Sequence, residues 1–284
     1  MKRAAVVLIW ILALALMWPV AGPLFRQSER PVDALGRLPV LEGGRVKPLD
    51  SVARANLLLF RGKQTLSTEA GRKPAIDWMT DLLLDRQKAH ADPVFRIDHP
   101  RLVGMFGLEP GTKQYFSYLD LQPYLSQIQD HARNANADSG QRGPYETAVV
   151  RLFNNLILYQ MLTQTVYPLS VEADIGAFYH AQAGAVLEAA ARFSGSEPET
   201  ADPQLRFRMQ QLDNMAQSPL FLLNIGDEWV NPASALRTSV PRSGQVPSEA
   251  ASLARLADSR QAGDEAAFHE AVGDLAASAP EITE

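Results

Sequence analysis

The side chains best suited to binding chemistry are two cations, Arg45 and Lys47, followed by Asp50 and Arg54 within ten residues of sequence. Guanidinium and ammonium groups at this spacing can bind carboxylate or phosphate groups of a partner. A purely structural interpretation is preferred, because Asp50 would cap a helix and pair with Arg54 four residues later. The candidate partner-docking residues are Gly44, Arg45, Lys47, Pro48, Asp50 and Arg54.

Side chains that could catalyse a reaction or hold a metal form no recognisable pattern. The chain has five histidines, none four residues from another, and no cysteine, which excludes thiolate nucleophiles and thiolate metal sites. Nucleophile-elbow, Walker and dinucleotide-binding motifs do not occur. We therefore predict no enzyme, no catalytic or metal-binding residue, and no cofactor bound through an identifiable motif. Haem stays open, because a single axial histidine can hold it.

Apolar residues around the docking segment recur mostly at helical spacing, and the sequence predicts a mainly α fold. A Glu-Gly-Gly turn predicts a small β-hairpin over 38–49, because glycine permits the positive φ of a tight turn. Short strands are expected at 94–97 and within 218–236. Helices are predicted from Asp50 or Ser51 to Phe60, from Pro74 to His90, and at 119–133, 145–167, 171–192, 203–217, 249–260 and 264–277.

The N-terminal segment predicts a membrane anchor. Lys2 and Arg3 precede an uncharged apolar run from Ala4 to Gly22, long enough to cross about 30 Å of hydrocarbon as a helix. A cleaved signal peptide is the alternative, but its apolar stretch is usually about 7–15 residues. Positive charge on the cytoplasmic side sets the N-terminus inside. We expect a single-pass protein of the bacterial inner (cytoplasmic) membrane, with its C-terminal domain in the periplasm.

Composition divides the chain into five predicted segments. These are the cytoplasmic start and anchor (1–25), a linker (26–37), a helical extracytoplasmic domain (38–236), a second linker (237–248) and an acidic helical tail (249–284). The net charge is −5, and the tail alone carries −6, which leaves the remainder almost neutral. A neutral body predicts no nucleic-acid partner, because phosphate binding requires a concentrated basic surface.

The segment Leu38–Leu66 resembles the region after the N-terminal anchor in cytochrome c biogenesis proteins of the system II (Ccs/Res-type) haem export and ligation family. The shared pattern is Pro-Val-x-x-x-Gly-Arg-x-Lys-Pro-Leu-Asp, then Ser or Thr, then x-Ala-Arg. The residues that carry the match are Pro39, Val40, Gly44, Arg45, Lys47, Pro48, Leu49, Asp50, Ala53 and Arg54. The likeness continues weakly through Trp78, 94–97 and 226–236.

The resemblance implies a membrane-anchored accessory component that positions haem or apocytochrome c. Haem-handling members of that family have several membrane helices, a tryptophan-rich loop and flanking histidines, and this chain has none of these. The implied partners are therefore a multi-span haem-handling membrane protein, apocytochrome c and the lipid bilayer, with haem reached through the partner. Whether the chain is a separate subunit or part of a longer protein stays open. The alternative function is a free-standing envelope scaffold or binding protein unrelated to haem.

Overall fold

The computed structural model describes residues 30–68, 71–193 and 202–280. As the sequence predicts, the fold is mainly helical with small antiparallel sheets. Within the described ranges no helix combines the length and apolar character needed to cross a membrane. The predicted anchor at 4–22 lies outside the described residues.

The N-terminal half alternates short helices with hairpins. Its elements are α1 (Pro31–Arg37), β1 (Pro39–Glu42), β2 (Arg45–Pro48), α2 (Leu49–Arg61), β3 (Thr65–Thr68), β4 (Gly71–Pro74), α3 (Ala75–Leu84), α4 (Arg86–Ala91), β5 (Phe95–Arg96), α5 (Pro100–Met105), β6 (Tyr115–Phe116), α6 (Tyr118–Leu121) and α7 (Leu125–Arg133).

The C-terminal half consists of longer helices and one further hairpin. Its elements are α8 (Pro144–Thr163), α9 (Ile175–Phe193), α10 (Pro203–Ala216), β7 (Leu220–Phe221), β8 (Leu223–Ile225), β9 (Glu228–Val230), α11 (Pro232–Ser243), α12 (Ser248–Ala262) and α13 (Glu265–Ser278). One-turn 3-10 helices at Gln122–Tyr124 and Ser139–Gln141 flank α7.

The predicted hairpin at 38–49 is confirmed. β1 pairs with β2 so that Glu42 faces Arg45, which leaves Gly43 and Gly44 as a two-residue turn. Their φ angles are 59° and 75°, a left-handed conformation that glycine adopts without the steric cost of a Cβ. β7 pairs with the other edge of β1 to complete a three-stranded antiparallel sheet.

One continuous hydrophobic cluster extends from α1 to α13. Trp78, Met79 and Leu82 of α3 are fully buried in it, and Phe60 packs edge-on against Trp78 at 6.0 Å between ring centres. Tyr159 of α8 contacts Phe60 and Phe95 in the same layer. Helix α3 is buried along nearly its whole length, so it forms the centre of the fold.

Both predicted linkers contain helices, and those predictions are wrong. Within 26–37, α1 buries Val32 and Leu35 against the core. Within 237–248, α11 continues to Ser243 and buries Val240, although Pro241 lies inside it. Short polar segments of this kind look like linkers in sequence, but two or three apolar side chains suffice to fix them on a neighbouring surface.

The helix predicted from Pro74 to His90 is two helices. Pro74 ends β4, and α3 stops at Leu84 because Asp85 adopts φ −144° and ψ 69°. The Leu84 carbonyl accepts hydrogen bonds from the Tyr167 hydroxyl at 3.1 Å and from Gln261 Nε2 at 3.0 Å instead. Tertiary partners therefore compensate for the break and redirect α4.

The predicted acidic tail is helical, as expected, but it packs into the core rather than standing in solvent. Leu253 and Leu256 of α12 and Phe268 and Val272 of α13 are buried. Arg260 of α12 also binds Asp81 of α3 at 2.6 Å. Asp258 of α12 also faces a neighbouring helix, where its carboxylate accepts hydrogen bonds from the amides of Ile175 and Gly176 at the start of α9.

Candidate functional site

The candidate docking residues fold into one hairpin–helix unit, which we define as residues 39–61. Asp50 does not cap α2, because Pro48 occupies the N-cap position and no side chain accepts a hydrogen bond there. The predicted pair with Arg54 is present, at 2.7 Å between Nη2 and Oδ2. The capping prediction is therefore wrong, and Asp50 instead orients an exposed guanidinium.

Lys47 is held inside the hairpin–helix unit. Its Nζ lies 2.8 Å from Glu42 Oε2, and Glu42 Oε1 accepts a hydrogen bond of 3.1 Å from Asn56 Nδ2. Asn56 is only 4% exposed and also donates to the Val52 carbonyl. The Glu42 carboxylate thus ties both strands of the hairpin to α2.

The outer surface of the hairpin–helix unit combines cations with apolar side chains. Arg45 is exposed beside the glycine turn, and no ion pair joins it to the described residues. On α2, Arg54 shares its exposed face with Leu58 and Leu59, which are 47% and 54% exposed. Val46 is exposed on the hairpin as well. Exposed leucines rimmed by arginines are typical of protein interfaces.

A second feature, which the sequence did not predict, is a cavity of about 860 Å³. Residues from four separate parts of the chain line it: Arg86 and His90 of α4, Tyr118 of α6, Tyr167 and Glu172 after α8, and Gln261 of α12. Its volume lies within the range of about 300–1,000 Å³ that small-molecule sites occupy.

Arg86 is the most unusual residue of the cavity. It is 7% exposed, and its Nη2 donates to the carbonyls of Pro168 at 2.7 Å and Val171 at 2.6 Å. The guanidinium carbon lies 4.1 Å from the centre of the Tyr167 ring. The Nη1 group has no hydrogen-bond partner. Burial lowers the pKa of Arg86, but a guanidinium stays protonated at any physiological pH.

His90 forms the aromatic wall of the cavity with Tyr118. The two ring centres lie 4.5 Å apart with the ring planes tilted by 31°, and His90 Nδ1 lies 3.0 Å from the Tyr159 hydroxyl. Burial, helped by the nearby positive charge of Arg86, lowers the pKa of His90 to about 4. The ring is therefore neutral at pH 7, and positive charge in the cavity comes from Arg86 and from Lys88, which pairs with Asp85 at 2.6 Å.

Sequence reasoning missed the cavity because its residues look ordinary in isolation. Arg86 and Lys88 lie in a charged stretch that predicts a solvated helical face, and nothing local indicates that Arg86 is buried. His99 occupies the N-cap position of α5, where its Nδ1 accepts a hydrogen bond from the Arg101 amide. Among the residues that the structure describes, no cluster of acidic or histidine side chains could hold a metal ion.

Comparison with known proteins assigns the chain to no class. No model of a known protein family matches it, and no curated protein matches it at a significant level.

Proposed function

We propose that this protein is a membrane-anchored accessory component of cytochrome c biogenesis. The hairpin–helix unit would dock a multi-span haem-handling membrane protein and so position haem or apocytochrome c beside it. The observation that carries the proposal is that the residues resembling the system II family lie in this one unit, whose outer surface exposes cations and leucines.

The contacts within the hairpin–helix unit separate residues that stabilise its fold from residues that are available to a partner. Lys47, Glu42 and Asn56 are bound to one another, so they support the fold of the unit. Arg45 is exposed without an ion pair to the described residues, and Asp50 holds Arg54 outward beside Leu58. Arginines next to apolar side chains are frequent hot spots of binding. Arg45 and Arg54 would therefore contact the partner directly.

Haem would be held by the partner and not by this chain. Two of the histidines already serve local roles, His90 against Tyr118 and Tyr159 and His99 at the start of α5. The proposed role is accordingly positional and includes no turnover. The proposed anchor, residues 4–22, would keep the hairpin–helix unit at the outer face of the bacterial inner membrane.

Co-purification of the full-length, affinity-tagged chain tests this function. We expect cytochrome assembly components to be recovered with it, and we expect Arg45→Glu to reduce that recovery at least about fivefold, a loss of roughly 1 kcal/mol. Arg72→Glu is the matched control, because Arg72 is exposed on a separate strand pair, β3–β4. If no such component is recovered, and if deletion of the gene leaves c-type cytochromes at normal levels, the proposal is wrong.

A second candidate is a binding protein of the cell envelope unrelated to haem. The observation that favours it is the large cavity with the incompletely bonded Arg86. A scaffold that only bridges two proteins needs no such cavity. The two candidates use different parts of the molecule. The first depends on Arg45 of the hairpin–helix unit, and the second depends on the cavity that Arg86 lines.

A further inference from the structure

We infer that the C-terminal end of α2 is a membrane-contact surface, which inserts Leu58 and Leu59 into the headgroup region of an anionic lipid bilayer. The inference rests on the proposed anchor at 4–22 and deepens the proposed function, because it states how the hairpin–helix unit is held against the membrane. It leaves Arg45, at the glycine turn, to the protein partner. Exposure, charge and the length of the chain between anchor and domain carry it.

The first observation is the exposure of two adjacent leucines. Leu58 and Leu59 are 47% and 54% exposed, and they are the only consecutive pair among the large apolar side chains that are exposed in the described ranges. A surface helix normally carries polar residues on its outer face. The inner face of α2 already supplies the core, because Leu57 and Phe60 are buried. The two leucines therefore form an apolar patch that is directed away from the core.

The second observation is the set of side chains around these leucines. Arg54 lies one turn before Leu58, and Lys63 follows the end of α2. Arg54 pairs with Asp50, whereas no ion pair joins Lys63 to the described residues. Lys63 Nζ lies 5.6 Å from the centre of the half-buried Tyr115 ring. Lysine and tyrosine combine an apolar body with a polar end, which suits them to the boundary between hydrocarbon and headgroups.

The third observation is the sign of the charge, which favours lipid over a second copy of the chain. Residues 39–63 carry five cationic and two acidic side chains, a net charge of +3, whereas the segment 249–284 carries −6. Anionic lipids attract clustered lysine and arginine side chains near the bilayer surface. An anionic bilayer would therefore attract the end of α2 and repel α12 and α13. A second copy related by a two-fold axis would instead bring like charges together.

The chain between the proposed anchor and α1 is long enough for this contact. Gly22 ends the apolar run, and Arg30, the first described residue, follows eight positions later. Eight residues span at most about 28 Å. Gly36 of α1 packs against Asp50 in the first turn of α2, and the leucines lie about 12 Å further along the helix axis. The end of α2 can therefore reach the bilayer while the chain stays anchored.

Single-cysteine labelling of the full-length chain in lipid nanodiscs tests the contact, because the native chain has no cysteine. Leu58→Cys and Leu59→Cys would each carry an environment-sensitive nitrobenzoxadiazole dye. Phe207→Cys on α10 is the matched control, because Phe207 is 59% exposed. In nanodiscs that contain phosphatidylglycerol, we expect blue-shifted emission and quenching by spin-labelled lipid at positions 58 and 59, and neither effect at position 207.

Lipid composition and a charge variant test the electrostatic part of the contact. Nanodiscs of phosphatidylcholine alone should weaken the quenching at position 58. Lys63→Gln should lower the equilibrium constant of the lipid contact about fivefold in anionic nanodiscs, because it removes one cation at the bilayer surface. Arg206→Gln on α10 removes an exposed cation elsewhere and should leave the quenching at position 58 unchanged.

Three outcomes would overturn the inference: a dye at position 58 that stays in water in anionic nanodiscs, equal quenching at positions 58 and 207, or quenching that does not depend on phosphatidylglycerol. A dye that is shielded in native membranes but not in nanodiscs would assign the leucines to a protein partner. That result would overturn the lipid contact and support the proposed function. Failure to recover assembly components would leave the quenching unaffected, so the two proposals fail separately.

Discussion

At the residue scale, a few buried charged side chains join parts of the chain that are distant in sequence. Asp81 is 3% exposed and binds both Lys73 at 2.8 Å and Arg260 at 2.6 Å. Lys73 also binds Asp92 at 2.6 Å. These contacts join β4, α3 and α12, which are distant in sequence. A buried carboxylate between two cations is costly to disturb, because removing its charge leaves them without compensation.

Asp81→Asn should therefore lower the free energy of unfolding by about 3 kcal/mol. Urea denaturation followed by circular dichroism measures this loss. Asp33→Asn is the control, because Asp33 pairs with Arg30 at the surface, where the loss should stay below about 1 kcal/mol. Equal effects of the two substitutions would show that the Asp81 network does not stabilise the fold.

The neutral His90 should make the protein less stable in mild acid. Its pKa is about 4 in the folded state and about 6.5 in an unfolded chain, so the unfolded state binds the extra proton between these values. Stability should fall as the pH drops from about 6.5 to about 4, by up to roughly 3 kcal/mol from this residue.

Urea unfolding of His90→Gln across that pH range measures the contribution. The variant should lose less stability than the parent protein on acidification, whereas His180→Gln, at an exposed position, should follow the parent curve. Parallel curves for His90→Gln and the parent would contradict a depressed pKa at His90.

At the scale of elements, helix ends are fixed in different ways that look alike in sequence. Asp50 and Asp264 each stand at the start of a helix. Asp264 caps α13 by accepting a hydrogen bond of 3.0 Å from the Ala267 amide, whereas Asp50 lies inside α2 and pairs with Arg54. The difference arises because Pro48 occupies the N-cap position of α2, so Asp50 lies within the first turn and not at the cap.

Asp264→Ala should consequently cost about 1 kcal/mol of unfolding free energy through the lost cap. Asp50→Ala should cost only about 0.5 kcal/mol, through a partly exposed ion pair and the helix dipole. Thermal or urea unfolding of both variants tests the ranking. A larger loss for Asp50→Ala would mean that its role at the start of α2 is underestimated by this geometry.

At the scale of the whole molecule, the two C-terminal helices complete the core. Leu256 is fully buried, and Leu253, Phe268 and Leu275 are nearly so. Leu256→Ala should cost about 2–5 kcal/mol, because it removes buried methyl groups and leaves a cavity. Leu59→Ala, at an exposed position, should cost less than about 0.5 kcal/mol.

Truncation after Pro247 provides the stronger form of this prediction. Without α12 and α13, Asp81 loses Arg260 and the Leu84 carbonyl loses Gln261. We expect loss of cooperative unfolding and rapid proteolysis of the shortened chain. A truncated chain that still unfolds cooperatively would establish that the last two helices form a separate unit.

The sequence by itself determined the helical class, the Gly43–Gly44 hairpin and most helix positions. These features depend on local rules: apolar periodicity, the positive φ that glycine tolerates, and proline at helix starts. The resemblance of Leu38–Leu66 to a known family also belongs to the sequence alone. It supplies the proposed function, and its partners remain a prediction.

The tertiary structure alone decided which polar residues are buried and which apparent linkers are helices. Arg86, Tyr167 and Gln261 come from distant segments, and only packing brings them to one cavity. The same is true of Asp81 and Arg260, which are 179 positions apart. Local sequence patterns reflect the secondary-structure preferences of the backbone. Burial and ion pairing depend on which elements pack together, and this packing is determined by the whole chain.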